Sequence, residues 1–360
     1  MFIFIFIIVL SVLILVHESG HFIVAKKAGV RVEQFSLGFG PRLFKWKKQE
    51  TEYIICAIPL GGFVKLAGDS PEEFKGHPWE YLAKPVGQRA KIVFFGPLLN
   101  YALAFICFWA IFFLGFPNLA TRVGGLVDGF GAQEAGIEVG DKIISIDGED
   151  VAIWQELQDI VQKKKEGDIT VISLLRDEEK LEIPIRIKQE KINTVWGEKK
   201  SIGLIGIKPG DELIKVRYGF IQSFFMGAGR LLYLSLLTVK SLLWILIGKV
   251  SFHESVTGPL GIFYITREAA GLGIIPLIQV VAVISMSLAI FNLLPLPVLD
   301  GGHLLFLIIE KLRGRRLSAR IEKIVTQIGF SLILLLIMSV FYNDLLKYDV
   351  FGRISQWLSK

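Results

Sequence analysis

The sequence predicts a polytopic α-helical membrane protein with about four transmembrane helices and one inserted, water-exposed α+β domain. Hydrophobic residues make up 52% of its 360 residues, and the mean hydropathy is +0.54. Four apolar runs reach the length of roughly 20 residues that a spanning helix needs. They fall within residues 1–30, 92–116, 275–303 and 324–342. Residues 120–215 instead alternate short β-type runs with turns and one helix near 153–165, and they are domain-sized.

The first apolar run could also be a cleaved signal peptide. Residues 2–16 read FIFIFIIVLSVLILV. A signal peptide fits poorly, because no basic segment precedes the run and no small-residue cleavage site follows it. The apolar character continues through His17–His21 to about Val30. We therefore predict a permanent spanning helix over residues 1–30.

Residues 31–91 are rich in lysine and arginine and contain two short glycine turns. The turns are Gly38–Gly40 and Gly61–Gly62, and β-type residues lie between and after them. Basic loops beside spanning segments face the cytoplasm. We predict a β-loop region that lies on, or dips into, the cytoplasmic face of the membrane.

Charge also sets the predicted topology. The basic loops 31–91 and 311–320 should both be cytoplasmic, so the N-terminus and residues 120–215 should lie outside. An odd number of crossings must then follow the inserted domain, and residues 275–303 supply one. Residues 221–249 carry Arg230 and Lys240, so we predict an interfacial amphipathic helix there and four crossings in all.

The strongest chemical signal is the pentapeptide His17-Glu18-Ser19-Gly20-His21. Side chains at positions i and i+4 share one face of a helix, so His17 and His21 can bind the same zinc ion. Glu18 can then act as general base on a zinc-bound water. Ionisable side chains cost about 3 kcal/mol each in an apolar helix, which favours a metal site. The alternative is a buried polar cluster that pairs with neighbouring helices.

A catalytic zinc site needs a third protein ligand. Asp300 is the candidate, because it ends an apolar run at the predicted cytoplasmic side, and His17 lies about 25 Å along its own helix. Pro295 and Pro297 should break the helix just before Asp300. His303 is the competing third ligand. His77 and His253 have no partner at ligand spacing.

Two asparagines in apolar runs are candidate substrate-binding residues. Asn292 precedes Asp300 by eight positions and could hold substrate backbone or an oxyanion. Asn100 lies near the start of the second apolar run. For both residues the alternative is a hydrogen bond that packs helices together.

Together these motifs resemble the site-2 protease family of intramembrane zinc metalloproteases, of the bacterial regulator of sigma-E protease type. The resemblance covers essentially the whole chain. It rests on His17–His21, on Gly96-Pro97-Leu98-Leu99-Asn100, and on Asn292 through His303. It implies zinc ligands His17, His21 and Asp300, with Glu18 as catalytic base. It also implies a membrane-associated β-loop that presents substrate, with Gly38, Gly40, Gly61 and Gly62 in or near the substrate-binding strands.

Residues 120–215 resemble a PDZ domain. The stretch Ala132–Gly148 reads like the bacterial PDZ pattern. The peptide-carboxylate loop would be Ile202, Gly203, Leu204, Ile205, Gly206 and Ile207. The sequence predicts one such domain, whereas the best-known enterobacterial members of the family carry two in tandem. The fold class is then an α-helical membrane protein with a cytoplasmic-face β-loop and an extracytoplasmic PDZ-like insert.

The resemblance implies regulated intramembrane proteolysis in the bacterial cytoplasmic (inner) membrane. Zn²⁺ would be the cofactor, and membrane-anchored proteins, including anti-sigma factors or remnant signal peptides, the substrates. The alternatives are a non-catalytic PDZ membrane scaffold and a metal transporter. The net charge of +6 is explained by loops that meet the lipid bilayer, and we expect no nucleic-acid partner.

Overall fold

The computed structural model describes residues 1–193, 199–251 and 256–349, so His253 lies outside the described residues. The chain divides into two compact units, which are described separately. The first comprises Met1–Ile111, Phe224–Leu243 and Ser251–Lys360, and the second comprises Phe112–Ser223 and Trp244–Val250.

The helices and strands have the following bounds. The helices are α1 (Phe2–Lys27), α2 (Val86–Leu114), α3 (Gly131–Glu134), α4 (Trp154–Val161), α5 (Phe220–Leu246), α6 (Pro259–Leu272), α7 (Ile274–Asn292), α8 (Asp300–Arg313) and α9 (Ala319–Lys347). The strands are β1 (Val32–Lys48), β2 (Thr51–Leu66), β3 (Phe116–Leu119), β4 (Val123–Leu126), β5 (Lys142–Ile146), β6 (Glu149–Asp150), β7 (Ile169–Arg176), β8 (Glu179–Arg186), β9 (Lys188–Asn193), β10 (Lys199–Leu204), β11 (Ile207–Pro209) and β12 (Leu213–Val216).

Within the described ranges, five helices are long and apolar enough to cross a membrane, one more than the sequence predicts. They are α1, α2, α5, α7 and α9. The additional helix is α5, which covers the segment expected to be interfacial. Its Ser235 hydroxyl lies 2.9 Å from that of Tyr101 on α2, and Phe224 packs edge-on against Phe105 at 5.1 Å. Length and composition define these five helices, and the four-crossing topology stays a prediction.

The third predicted spanning segment, residues 275–303, is divided between two helices. Helix α7 ends at Asn292, and α8 begins at Asp300 after a turn that contains Pro295 and Pro297. The start of α8 packs tightly on this turn. A Cβ atom at Gly301 would lie 2.2 Å from the Leu294 carbonyl oxygen, and one at Gly302 would lie 2.2 Å from that of Leu296. Asp300 therefore starts a new helix rather than ending the spanning one.

The two long strands β1 and β2 bend and form a sheet with four segments. Residues 32–37 pair with residues 62–66 on one side and with residues 52–55 on the other. Residues 42–48 pair with the far side of residues 51–56. Left-handed backbone at Gly38 and Gly40 (φ +89° and +86°) allows β1 to bend. Residues 62–66 form one edge of the sheet, and we call them the edge segment.

A small apolar core attaches this sheet to α1 and α2. It contains Ala25 of α1, Ile92 of α2, and Val30, Val32 and Leu66 from the sheet region. All five side chains are buried. The edge segment is thereby held beside the helix that carries the histidine pair.

The second unit is built around the four-stranded sheet β6-β5-β7-β8. The pairs β3–β12, β4–β11 and β9–β10 surround it. Helix α4 occupies residues 154–161 of the helix predicted over 153–165, and its Trp154 and Leu157 pack on Ile143 and Ile172 in the core. The mixed α+β character predicted for residues 120–215 is what the described residues have.

An arginine on β7 ties together the turn between α3 and β5. The Arg176 Nε and Nη2 atoms donate to the two oxygens of Asp141 at 2.8 and 2.7 Å, and Nη1 donates to Glu138 at 2.8 Å. Burial by itself would raise the pKa of Asp141, but the hydrogen bonds from Arg176, the hydrogen bond from the Glu138 N–H and the charge of Arg176 together hold that pKa below its usual value.

This depressed pKa predicts acid-sensitive stability for the inserted domain. The pair stabilises the fold above the ordinary Asp pKa of about 3.9, and the contribution is lost as the pH falls through the lower folded pKa. In Arg176→Gln, we expect faster limited proteolysis of residues 120–215 at neutral pH. We also expect a smaller change in proteolysis rate between about pH 5 and pH 3 than in the wild type.

Arg122→Gln is the matched control. A single hydrogen bond joins Arg122 to Glu212, and their side chains are 45% and 43% exposed. Exposed pairs contribute little to stability. Equal sensitivity of the two variants to protease would contradict a special role for Arg176.

Candidate active site

The structure brings His17, His21 and Asp300 together. The Nε2 atoms of the two histidines are 3.2 Å apart. The Asp300 carboxylate lies 3.1 Å from His17 Nε2 through Oδ2 and 3.5 Å from His21 Nε2 through Oδ1. Among the described residues, these three form the group of His, Cys, Asp or Glu whose ligand atoms all lie within 4.8 Å of one another.

These distances fit a zinc ion. Zinc bonds of about 2.0–2.1 Å in tetrahedral geometry separate neighbouring ligand atoms by about 3.3 Å. The three observed separations lie on either side of that value. Three protein ligands leave a fourth position open, as catalytic zinc sites require. His303 lines the adjoining cavity and packs edge-on against Phe306, outside this group of three.

Hydrogen bonds behind the imidazoles orient them for metal binding. His21 Nδ1 lies 2.9 Å from the Ile92 carbonyl oxygen of α2, so Nδ1 carries the proton and Nε2 has its lone pair free. His17 Nδ1 lies 3.5 Å from the Asn292 side-chain amide. The Asn292 amide fits this position in either of its two orientations. With Oδ1 towards the ring, it would accept a hydrogen bond from His17 Nδ1–H. Asn292 thus lies behind a histidine, a position that sequence reasoning did not predict.

Two glycines allow α1 and α2 to approach closely at the site. A Cβ atom at Gly20 would lie 2.1 Å from the Phe95 carbonyl oxygen. One at Gly96 would lie 2.3 Å from both Cε1 and Nε2 of His21. Sequence reasoning used Gly96 only as part of a family motif and assigned it no role. A glycine four residues before Asn100 in an apolar helix was the available signal.

Glu18 lies between the histidine pair and the edge segment. A Cβ atom at Gly62 would lie 3.2 Å from Glu18 Cγ and 3.0 Å from Ile14 Cγ2, so only a glycine lets the sheet edge pass this close to α1. Gly38, Gly40 and Gly61 lie at the bends of β1 and β2, with left-handed φ angles. Of the four candidate glycines, Gly62 is the one in contact with Glu18.

A cavity of about 500 Å³ opens beside these groups. Glu18, His21 and Asp300 line one part of it, and Val64 and Leu66 of the edge segment line another. Arg89, Glu310 and Arg316 line a further part. The cavity therefore brings two members of the ligand group, His21 and Asp300, together with Glu18 and a sheet edge.

Asn100 is buried in α2, with 1% of its surface exposed. Neither polar atom of its side-chain amide has a hydrogen-bond partner among the described residues, while its carbonyl oxygen accepts from Ser285 Oγ of α7 at 2.8 Å. The residue does not line the cavity that Glu18 and Asp300 share.

The segment predicted as a peptide-carboxylate loop is mostly strand. Ile202, Gly203 and Leu204 belong to β10, and Ile207 begins β11, so only Ile205 and Gly206 form a turn. The segment lies against the end of α4, where Gly203 N–H is 3.4 Å from the Gln162 carbonyl oxygen. Strand pairing, rather than an open loop, shapes this part of the insert.

Two imidazoles and a carboxylate at zinc-ligand separations, with a glutamate beside them in an apolar helix, define a membrane-embedded metallohydrolase. The model of peptidase family M50 matches residues 5–336, and the chain belongs to this family. It is a zinc metalloprotease, its cofactor is Zn²⁺, and the scaffold and transporter alternatives are not supported.

The relatives agree with this assignment over nearly the whole chain. The regulator of sigma-E protease RseP of Escherichia coli is 30% identical over 94% of this chain and 97% of RseP. The regulator of sigma-W protease RasP of Bacillus subtilis is 29% identical, with 94% of this chain and 97% of RasP covered. A Rhizobium meliloti protein assigned as a zinc metalloprotease is 33% identical over 94% and 95%. With five apolar helices, the chain is a multi-pass inner-membrane protein.

Solved structures similar to this chain include PDZ domains. The PDZ domain of an SdrC-like protein from Listeria innocua is 28% identical and covers 26% of this chain and 96% of that domain, with a TM-score of 0.21. A score this low carries no argument about the fold of the insert.

Gly96→Ala should displace the His21 imidazole and weaken zinc binding. The added methyl would sit 2.3 Å from the proposed ligand atom Nε2, so the ring must move. We expect zinc affinity to fall by roughly tenfold or more, as for other losses of support behind metal ligands. Chelator competition on detergent-purified protein measures it. Gly87→Ala is the control in the same helix, because a Cβ there meets nothing within 4 Å; equal affinities in the two variants would contradict the prediction.

Substitution of the three clustered side chains should remove the metal. Wild-type protein should bind near one zinc per chain, and His21→Ala and Asp300→Ala should lose most of it, because each removes one of three ligands. His303→Ala should keep its zinc. Elemental analysis after dialysis gives the stoichiometry, and loss in His303→Ala with retention in Asp300→Ala would move the third ligand to His303.

Proposed function

We propose that this protein cleaves membrane-anchored proteins within or near their transmembrane segments, with zinc held by His17, His21 and Asp300. The observation that carries the proposal is the close grouping of these three side chains, two of which, His21 and Asp300, line one cavity together with Glu18. Both histidines lie on α1, which is long and apolar enough to span a membrane, and this supports chemistry at membrane depth. Helix α1 would bring His17 into the cytoplasmic half of the bilayer, about 25 Å from its outer end.

In this proposal Glu18 is the proton carrier. A zinc ion held by His17, His21 and Asp300 would supply Lewis-acid polarisation of the scissile carbonyl and would make water more acidic. The Glu18 carboxylate accepts a proton from the attacking water and then delivers that proton to the leaving amide nitrogen. The carbonyl of Ile92 keeps His21 in the tautomer that this arrangement needs.

The edge segment is proposed to receive the substrate as an added strand. A transmembrane helix hides its carbonyl groups in its own hydrogen bonds, so cleavage requires local unwinding. Residues 62–66 pair with residues 32–37 on one side, and among the described residues no strand pairs with their other side. Extended peptides add to such edges through main-chain hydrogen bonds. Gly62 would bring the added strand beside Glu18, and Gly38, Gly40 and Gly61 would shape the sheet.

The two asparagines are proposed to act in different ways. Asn292 would support His17 from behind, since its amide lies 3.5 Å from His17 Nδ1. The Asn100 side-chain amide has no hydrogen-bond partner among the described residues, and either substrate backbone or a buried water would satisfy it. Helix packing remains the alternative for Asn100, because its carbonyl already bonds Ser285.

We propose four crossings, with the N-terminus and the insert outside the cytoplasm. The basic loops 31–91 and 311–320 support the cytoplasmic side of both. An odd number of crossings must then follow the insert, so α5 would not cross the membrane completely. It would pack on the outer half of α2 through Ser235 and Phe224. Residues 1–30, 92–116, 275–303 and 324–342 contain the proposed crossings.

The insert is proposed to be a PDZ-like filter that selects substrates by size or by a trimmed end. Its Ala132–Gly148 sequence pattern and the position of residues 202–207 at the end of α4 support this proposal. The relatives RseP and RasP are named as regulators of sigma factors. Membrane-anchored anti-sigma factors are accordingly the proposed substrate class, with remnant signal peptides as a second class.

Glu18→Gln should keep zinc and lose proteolysis. The amide is nearly isosteric with the carboxylate but cannot accept a proton, so we expect kcat to fall by roughly 10²–10⁴-fold. Zinc stoichiometry should equal that of the wild type. Cleavage of a membrane-anchored model substrate in proteoliposomes measures the loss.

Glu33→Gln is the control for this experiment, because Glu33 lies exposed on β1 and pairs only with Lys65 in the described structure. Its activity should match that of the wild type. Full activity in Glu18→Gln, with zinc bound, would overturn the proposed role of Glu18.

A further inference from the structure

The metal-binding residues come from two separate helices. His17 and His21 lie on α1, while Asp300 opens α8. The local backbone of neither helix fixes the distance between the two halves. Metal sites require ligand distances within about 0.2 Å of ideal values. Some other part of the protein must therefore hold α1 and α8 in register.

One face of α2 contacts both halves. The Ile92 carbonyl oxygen holds His21 Nδ1 at 2.9 Å. Arg89 lies three residues earlier on the same helix face. Its guanidinium binds the Glu310 carboxylate of α8 through two parallel bonds, Nη1–Oε2 at 3.1 Å and Nη2–Oε1 at 2.5 Å. Helix α2 thus touches the histidine half directly and the aspartate half through Glu310.

The Arg89–Glu310 pair is built as a fixed contact. Arg89 is 5% exposed and Glu310 is 15% exposed in their side chains. Arg89 Nε also donates to the Lys84 carbonyl oxygen at 3.0 Å, which sets the plane of the guanidinium. Arg316 approaches the same carboxylate, with Nε 3.4 Å from Oε1. Two-point binding of this kind fixes geometry as well as distance.

The pair acts on Asp300 through the length of α8. Glu310 follows Asp300 by ten residues, or about 15 Å along the helix axis. At the Asp300 end, Gly301 and Gly302 rest on the carbonyl groups of Leu294 and Leu296. This close packing holds the first turn of α8, and the Arg89–Glu310 pair holds the opposite end of the helix. Release of the Glu310 end would tilt the helix and turn the Asp300 carboxylate away from the histidines.

We propose that Arg89 and Glu310 are positioning residues, which keep Asp300 at bonding distance from the metal by docking α8 on α2. The inference rests on the proposed metal site. Burial of an ion pair adds little net stability compared with apolar packing, so a purely stabilising role explains the pair poorly. Its place in the wall of the active-site cavity agrees with a role in the site.

The test measures zinc affinity of detergent-purified full-length protein by chelator competition. Arg89→Gln and Glu310→Gln should each weaken zinc binding by roughly 10- to 100-fold, the range for outer partners of metal ligands. The double variant should be no weaker than the weaker single variant, because both changes remove one shared interaction. Arg89→Lys keeps the charge without the two-point contact, so its loss should be smaller than that of Arg89→Gln.

Arg176→Gln is the matched control. Arg176 makes the same two-point contact with a buried carboxylate, that of Asp141, but lies in the second unit. Its zinc affinity should equal that of the wild type. Wild-type affinity in Arg89→Gln and Glu310→Gln, or an equal loss in Arg176→Gln, would overturn the inference. If either glutamine variant fails to fold, a wild-type zinc affinity in well-folded Arg89→Lys would overturn the inference.

Wild type and His21→Ala separate this inference from the proposed function. Zinc in the wild type that is lost in His21→Ala, together with unchanged affinity in the Arg89 and Glu310 variants, removes only the positioning role. A wild type without zinc removes both the proposed metal site and the inference that rests on it.

Discussion

The close contact between α1 and α2 is the constraint on which the site depends. At Gly20 the α1 backbone lies so close to the backbone of α2 that no side-chain carbon fits between them. Helices in lipid gain little from apolar burial, and small residues allow them to associate through dense packing instead. The same contact places the Ile92 carbonyl against His21 and leaves space for its ring beside Gly96. The helix–helix interface and the proposed metal site therefore share the same residues.

The chemistry was more predictable from sequence than the architecture around it. His17 and His21 follow from helical periodicity, and Asp300 followed from depth, because each end of a spanning run has a definite level in the bilayer. The new helix at Asp300 was missed, since Pro295 and Pro297 signal a break but not what comes after it. The position of Asn292 behind His17 was missed as well, because it depends on how α7 packs against α1.

The β-loop and α5 show where local patterns are insufficient. Glycines at 38, 40, 61 and 62 predicted turns, but not that β1 would pair on both sides of its first half. That pairing joins segments far apart in the sequence, and the sheet packs on Ala25 and Ile92 of two different helices. Helix α5 has the length and composition of a spanning segment, and only charge and parity argue otherwise. Composition reports what a helix can tolerate, whereas topology depends on the whole chain.

Helix α2 emerges as the common support of the enzyme. Its successive turns carry Arg89, which reaches α8, then Ile92 and Gly96, which meet His21, and then Asn100, whose carbonyl bonds α7. The four contacts differ in kind. Arg89 forms an ion pair, the Ile92 carbonyl accepts a hydrogen bond, Gly96 leaves room for a ring, and the Asn100 carbonyl accepts from a hydroxyl. The proposed zinc site takes its ligands from distant parts of the chain and would need such a shared support, because ligands on independent helices would otherwise move by more than the metal tolerates.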